Sequence, residues 1–546
     1  MINKEQLISY FMENGILISP DFFDSLDNNF DVSKFLQLFN EGQFSKSFFI
    51  GKDLIKDLEM GFQNSRVYTG AIVTSNLSET KQNEFPNILK TTEITTLEEE
   101  VPETIQNNYK NNVRVVFSYD YKNKKKEVQD FVNYFKKRYE FLKKILSNRQ
   151  ELQDSLSIAR LPRKQEGDIV SVIGIVLNKT QTKNDNIRIT LEDPTGNFDA
   201  LITKSKSDLY NLAKDVVLDE VVGISGVMGK GIIFCNNLFS PDIPINHELK
   251  KSPDEVYTVF ISDIHFGMKD FLTSDFMKFV MWLRGEYGNE QQRQIASKVQ
   301  YLFVTGDVVE GVGIYPGQED DLAIKDIYAQ YEEATRYFKM IPERIKIIIC
   351  GGNHDAMRMS EPQPIFDKII SRGFYEIPNM ILVSNPAVVN IHSSDNFPGF
   401  DVLMYHGASF PYFGDNVPSI RDKGGILRCD LIMKFLLQRR HLAPSHSSTL
   451  YVPDETFDPL VIEKIPDIFV SGHIHQITVS NYRNVSLINS SCWVVQSEDN
   501  AKRGIIPHPA KIPIINLQTR EIKIMNFLDD SIKVLFVERE AQNESS

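Results

Sequence analysis

Residues 256–265 read Val-Tyr-Thr-Val-Phe-Ile-Ser-Asp-Ile-His. An apolar run of strand length, Val256 to Ile261, leads directly into Asp263 and His265. Side chains alternate along a strand with period two, so an Asp and a His two apart at a strand end are expected to face the same way. The same arrangement recurs downstream. Tyr301 to Thr305 ends in Gly306-Asp307, and Ile345 to Cys350 ends in Gly351-Gly352-Asn353-His354-Asp355. Val402 to Tyr405 ends in His406-Gly407, and Ile468 to Val470 ends in Ser471-Gly472-His473-Ile474-His475. Each time, metal-ligand residue types follow the carboxyl end of an apolar strand, where α/β folds build their sites.

The ligand types define the chemistry. Two Asp, one Asn and several His form a mixed nitrogen and oxygen set with no thiolate, suited to manganese, iron or zinc in a two-metal site. Two such ions roughly 3.5–4 Å apart can activate water and clamp the attacking and leaving oxygens of a phosphoester, with Asp307 the natural bridging carboxylate. Gly306, Gly352, Gly407 and Gly472 adjoin these positions, where close backbone approach calls for a residue without Cβ. Of the 10 histidines, His265, His354, His406, His473 and His475 fall in the motifs. The other five, His441 among them, have no such setting and receive no role. Each piece alone is weak, since a lone Gly-Asp-x-x-Glu could be a surface turn; the conjunction is specific.

The rest of the chain bounds the class. With 546 residues, 42% hydrophobic and 24% charged, it is long enough for several domains and is neither disordered nor collagen-like. No apolar run reaches the ~18 residues of a membrane span, and the first residues carry acids rather than a signal sequence, so a soluble, cytoplasmic protein is expected. Cys235, Cys350, Cys429 and Cys492 are far apart with no Cys-x-x-Cys, which argues against a disulfide framework or a zinc-thiolate site. The net charge of −13 is not the basic footprint of a stand-alone nucleic-acid binder, although metal ions or a partner subunit can supply the missing positive charge.

Five regions are expected. Residues 1–72 read as a small helical domain, with candidate helices at Lys4–Asn14, Phe30–Phe39 and Lys52–Phe62. Residues 73–112, rich in Ser, Thr, Asn and Glu, read as a flexible linker. Residues 113–160 hold a strand (Arg114–Tyr119) and an amphipathic helix (Glu127–Leu152) whose Lys136, Lys137, Arg138, Lys143 and Lys144 side reads first as a solvated face. Residues 165–245 show five short strands with a helix between the third and fourth, the order of an OB-fold. Residues 254–535 carry the motifs.

The order Asp-x-His, Gly-Asp-x-x-Glu, Gly-Asn-His-Asp, His-Gly, Gly-His-x-His resembles the calcineurin-like metallophosphoesterase superfamily over about Glu255 to Asp499. The chain is more closely similar to the small subunits of archaeal D-family DNA polymerases. That likeness is carried by residues 260–267, by Gly306 to Gln318, by Gly352 to Arg358 with Glu361-Pro362-Gln363-Pro364, by Tyr405 to Ser409, and by Arg439 to Pro444. The resemblance implies an α/β (α+β) two-layer metallophosphoesterase β-sandwich with flanking helices, preceded by an OB-fold and the small helical domain. It implies that Asp263, His265, Asp307 and His475 hold one metal and that Asp307, Asn353, His406 and His473 hold the other. His354 would approach the scissile phosphate without binding metal, and Asp355 could orient it. The implied activity is proofreading 3′→5′ exonuclease on single-stranded 3′ ends of DNA with two divalent ions, manganese first and iron, zinc or magnesium as alternatives. The implied partners are the large catalytic subunit, in a heterodimer, and the sliding clamp through the holoenzyme. Two other readings stand beside this one: a phosphoesterase acting on small molecules or phosphoproteins, and a scaffold with a vestigial site.

Overall fold

The computed structural model describes residues 113–120, 125–495 and 506–537, and of the earlier chain the backbone of two short strands. The chain divides into two compact units, Met1–Thr104 and Ile105–Ser546. In the first, β1 (Leu17–Ile18) pairs in parallel with β2 (Phe49–Ile50). The helices expected in residues 1–72 and the linker expected over 73–112 lie outside the described residues.

The second unit opens with β3 (Val113–Ser118) and α1 (Val128–Leu146). Helix α1 stops at Leu146, short of the expected Leu152, and a 3₁₀ turn at Gln150–Leu152 follows. Its basic side is not uniformly solvated: Lys136, Lys137 and Lys144 are exposed, but Arg138 is buried at 1% exposure. The reason is a partner, Asp458 Oδ2, 2.7 Å from Arg138 Nε.

A closed five-stranded barrel comes next: β4 (Ile169–Gln181), β5 (Ile187–Asp193), β6 (Gly196–Ile202), α2 (Ser207–Lys214), β7 (Val221–Met228) and β8 (Ile233–Phe239), in the order β4-β5-β6-β8-β7. Strand β4 is long enough to serve two partners, with a register shift between Val176 and Asn178 in its pairing with β5. Its first half pairs with β7 and its second half with β5. Inward residues such as Val172, Ile189, Leu191 and Ile224 fill the barrel.

The remainder is two facing sheets with helices outside. The elements are β9 (Tyr257–Ile261), α3 (Thr273–Leu283), α4 (Glu290–Ser297), β10 (Val299–Thr305), α5 (Ile327–Phe338), β11 (Lys346–Cys350), β12 (Met380–Leu382), β13 (Ala387–Ile391) and β14 (Phe400–Met404). They continue with α6 (Phe410–Asn416), α7 (Cys429–Arg439), β15 (Ile468–Ser471), β16 (Thr478–Tyr482), β17 (Val485–Asn489), β18 (Lys511–Asn516), β19 (Glu521–Asn526) and β20 (Ser531–Val537). One sheet runs β12-β11-β10-β9-β18-β19-β20, and the other β16-β17-β15-β14-β13-β3. Strand β3, far away in sequence, is the edge of the second sheet, antiparallel to β13.

The central strands are buried on both faces, which is why they read as unbroken apolar runs rather than alternating ones. Phe260, Phe303 and Ile348 of the first sheet meet Val389, Met404, Ile468 and Val470 of the second to form the layer between the sheets. Val259, Ile261, Leu302, Val304, Ile347 and Ile349 face the other way, against Phe276, Phe279 and Trp282 of α3 and Tyr337 and Phe338 of α5. Leu403 and Phe469 pack outward on Phe410, Phe413, Ile432 and Leu436 of α6 and α7. Among the described residues, no helix is long and apolar enough to cross a membrane.

Candidate metal centre

The site lies just past the carboxyl ends of β9, β10, β11, β14 and β15, but the candidate ligand residues are not on the strands. Strand β9 ends at Ile261 and β15 at Ser471. Asp263, His265, Asp307, His473 and His475 all have left-handed backbone, with φ of 50°, 56°, 50°, 70° and 58°. Strand alternation is therefore not what points Asp263 and His265 together; left-handed kinks at both, on either side of Ile264, do so. Each such residue costs of order 1–3 kcal/mol. Backbone bonds hold the kinks: Asp263 N–H donates to Gly306 O (3.0 Å), and Ile264 N–H and His265 N–H both donate to Asp307 O (2.8 and 3.1 Å). The two Gly positions closest to the ligands are spatially required. A Cβ on Gly306, which has φ of 83°, would strike His406 Nδ1, and one on Gly352 would strike Asp307 Oδ1.

Three groups of metal-ligand side chains converge, with the donor atoms of each group within 4.8 Å of one another: Asp263–His265–His475, Asp307–His406–His473 and His265–Glu310–His354. In the first, His265 Nε2 and His475 Nε2 are 3.2 Å apart, and His475 Nε2 is 3.4 Å from Asp263 Oδ1. In the second, His406 Nε2 lies 3.2 Å from Asp307 Oδ2 and 3.1 Å from Asn353 Oδ1. The Asp307 carboxylate falls in the second group rather than the first; its Oδ1 also accepts from His354 N–H at 2.8 Å. Asp263 is held by the Ser262 hydroxyl and by His473 N–H, 3.0 Å from Oδ2.

The donor set fits cations. His406 Nδ1 is 2.9 Å from Thr305 O and His265 Nδ1 is 2.7 Å from Glu310 Oε2, so each Nδ1 carries its proton toward an oxygen. His406 Nε2 then turns a lone pair on Asp307 and Asn353 oxygens, and His265 Nε2 faces His475 Nε2. Such a convergence is stable only with positive charge at its centre. The titration behaviour expresses the same demand. Burial opposes the charge on Asp307, but His406 and His354 outweigh it and hold this carboxyl well below the usual range. Burial likewise opposes protonation of His406, and Asp307 overcomes it, raising that imidazole to about 10. His473, buried beside His406, is pushed down to about 3.

Asp263, His265, Asp307, Asn353, His354, His406, His473 and His475 are all brought together. Asp355 is adjacent but turned away: its carboxyl accepts from the backbone N–H of Gly352 (2.9 Å), Val308 and Val309 (both 3.3 Å) and from Tyr331 OH (3.2 Å). Those four bonds brace the loops, and burial and Asp307 push the carboxyl up to about 7. The carboxylate facing His354 is Glu310, 2% exposed, whose Oε2 lies 3.5 Å from His354 Nδ1 and whose carbonyl oxygen is 3.0 Å from it. Gln318 Nε2 donates to both Glu310 oxygens, carbonyl and Oε1, at 3.0 Å. Burial works against a charged His354, yet Asp307 and Glu310 raise it to about 9. The role of Glu310 was missed by sequence reasoning, although its signal was there, as the last letter of Gly-Asp-x-x-Glu.

A cluster of metal-ligand residue types at the carboxyl ends of strands from two facing sheets defines the class. Residues 257–477 match the calcineurin-like phosphoesterase family. The chain is 38% identical over 390 residues to the DNA polymerase II small subunit of Methanothermobacter thermautotrophicus, covering 71% of this chain and 78% of that one. It is 39% identical to the protein of the same name from Archaeoglobus fulgidus, covering 71% and 75%, and 37% identical to that of Pyrococcus furiosus, covering 73% and 64%. The chain belongs to the family of DNA polymerase II small subunits.

Proposed function

We propose that this chain is the proofreading subunit of a replicative DNA polymerase: a 3′→5′ exonuclease that hydrolyses DNA phosphodiesters at single-stranded 3′ ends and supports the large catalytic subunit. The observation that carries this reading is the complete convergence of seven ligand-type side chains and His354, with no member replaced. Asp263, His265 and His475 would hold one divalent ion and Asn353, His406 and His473 the other, Asp307 bridging them. Manganese is the first candidate, with iron, zinc or magnesium as alternatives. Bound there, such ions would supply Lewis-acid polarisation of the phosphate and of water.

The chain's own groups do the rest. The Glu310 carbonyl oxygen accepts at His354 Nδ1, which fixes the ring and leaves Nε2 for the scissile phosphate, while the Glu310 carboxylate lies 3.5 Å away as its counter-charge. A histidine held protonated by Asp307 and Glu310 can neutralise developing charge and release its Nε2 proton to the departing 3′-oxygen. Glu310→Gln keeps the carbonyl bond to His354 but removes the negative charge beside His265 and His354, so a 10–100-fold loss in metal affinity or rate is expected, the usual cost of removing a partner behind a ligand. Parallel titrations of manganese uptake and rate check this; an unchanged Glu310→Gln enzyme would remove Glu310 from the mechanism.

The small-subunit name of the relatives supports a large catalytic subunit as partner in a heterodimer, with the sliding clamp reached through the holoenzyme. The net charge of −13 gives the isolated chain poor affinity for DNA phosphates, so the large subunit is read as delivering the DNA. We read the barrel as an OB-fold, from its strand order and its shared bent strand.

The test is a 5′-labelled single-stranded oligonucleotide with the full chain, alone and with the large subunit. A ladder shortening from the 3′ end in manganese, lost with chelator and restored by manganese, is expected. No metal-dependent cleavage in either setting would favour a scaffold, and turnover of a small phosphomonoester with indifference to DNA would favour a small-molecule phosphoesterase.

A further inference from the structure

The chemistry above leaves unused a loop that forms one wall beside His354. Residues 311–317 read Gly-Val-Gly-Ile-Tyr-Pro-Gly, and Gly311, Gly313 and Gly317 have φ of 78°, 78° and 80°. Such a loop could be limp, but this one is pinned. Gln330 receives Gly311 N–H at 2.8 Å and donates to Gly311 O at 3.1 Å. Gln318 Oε1 accepts from Ile314 N–H at 2.9 Å, and Leu322 bridges to Met268 just beyond. The loop therefore presents Tyr315 in a fixed place. The Tyr315 ring centre is 6.4 Å from that of His354, inclined at 63°. Its hydroxyl lies 3.2 Å from Glu310 Oε1 and 3.0 Å from Asp321 Oδ2, donating to one at a time. The polar end of the side chain is thus committed, while the ring stays half-buried on a loop whose Val312 is 50% exposed.

We propose that the Tyr315 ring is the platform on which the 3′-terminal base stacks when its phosphate faces His354, so that Tyr315 selects a nucleic-acid end over a small phosphoester. The assignment rests on the exonuclease reading above. An aromatic face suits that task because every base has a π-face, and a proofreading site must accept all four. A ring carried on a loop already pinned by Gln330 and Gln318 is in place before the substrate arrives, so stacking costs little further ordering.

The test compares Tyr315→Leu with Tyr315→Phe in the full chain. The readout is the ratio of kcat/KM on an oligonucleotide to kcat/KM on bis(p-nitrophenyl) phosphate. Tyr315→Leu should lower that ratio about tenfold, through KM, within the range that one base–aromatic stack supplies. Tyr315→Phe, which keeps the ring and loses the hydroxyl, should hold the ratio within about twofold of the parent. A 3′-terminal 2-aminopurine read in a His354→Ala background should be quenched on binding, and stay bright when Tyr315→Leu is added. An unchanged ratio in Tyr315→Leu, or equal damage in both variants, would overturn the platform; in the second case the side chain serves only to hold Glu310. A parent that hydrolyses the reporter and no oligonucleotide overturns the exonuclease reading and this assignment with it, an outcome distinct from a parent that cuts DNA no better than Tyr315→Leu.

Discussion

His354→Ala is expected to lower the rate of DNA hydrolysis by about 10²- to 10⁴-fold, the usual share of a positioned acid or base, while the chain still takes up two divalent ions. The separation follows from the geometry. His354 reaches its neighbours through Nδ1, which faces Glu310, and through its backbone N–H, which donates to Asp307 Oδ1. Alanine keeps that backbone bond and removes only the ring. Asp307→Ala removes a carboxylate that faces His406 and anchors the His354 backbone, so it should lose metal and rate together. Metal content of the purified variants, set beside single-turnover rates, distinguishes the two. A His354→Ala enzyme at the parent rate would show that the ring is not the acid, and an Asp307→Ala chain still holding two ions would sink the bridging assignment.

Much of this site was legible because each ligand follows an apolar strand buried on both faces, and such strands announce themselves as unbroken runs. Residues 256–261, 301–305, 345–350, 402–405 and 468–470 lie on or beside β9, β10, β11, β14 and β15. What the sequence could not supply was conformation at the strand ends. The Asp-x-His spacing suggested alternation along a strand, whereas Asp263 and His265, like His473 and His475, have left-handed backbone. Long-range partnership was equally hidden. Nothing in residues 113–118 says that they pair with Ala387–Ile391, and Gly-Asp-x-x-Glu marks Glu310 without saying which two histidines its side chain meets. A single letter also cannot separate a solvated arginine from a buried one. Arg138 sits among exposed lysines of α1, and its burial is decided by Asp458, 320 residues away.

That buried arginine carries the second large effect. Asp458→Ala is expected to destabilise the joint between α1, the barrel and the phosphoesterase body by about 3–5 kcal/mol, the cost of leaving one partner of a buried ion pair alone. Arg138 Nε donates to Asp458 Oδ2 at 2.7 Å, and its NH1 group donates to Pro444 O at 2.8 Å. His441, fully buried and given no role by its sequence setting, is the third member: its Nε2 lies 2.8 Å from Asp458 Oδ2 and its Nδ1 accepts from Ala443 N–H at 2.9 Å. Helix α1 meanwhile packs Tyr139, Leu142 and Leu146 on Ile173, Ile175 and Val221 of the barrel, and Tyr134 stacks on Tyr451 at 4.9 Å. Loss of the carboxylate should therefore loosen α1 first, seen as faster amide exchange over Val128–Leu146 and a lower unfolding midpoint. Replacing the pair together, Arg138→Met with Asp458→Leu, should recover much of the loss, because no unpaired charge remains. The pH dependence has a defined sign. Burial and the nearby Arg138 push His441 down from 6.5 to about 4, and its Nδ1 is already occupied as an acceptor. Unfolded His441 takes up a proton near pH 6.5, and the folded chain takes it only near pH 4. Stability should therefore fall as the pH drops through that window, and Asp458, held low by His441 and Arg138 against its burial, extends the fall further into acid. His441→Asn should flatten the upper part of this profile. An Asp458→Ala chain with the parent's midpoint and exchange rates would mean that the ion pair does not hold the joint.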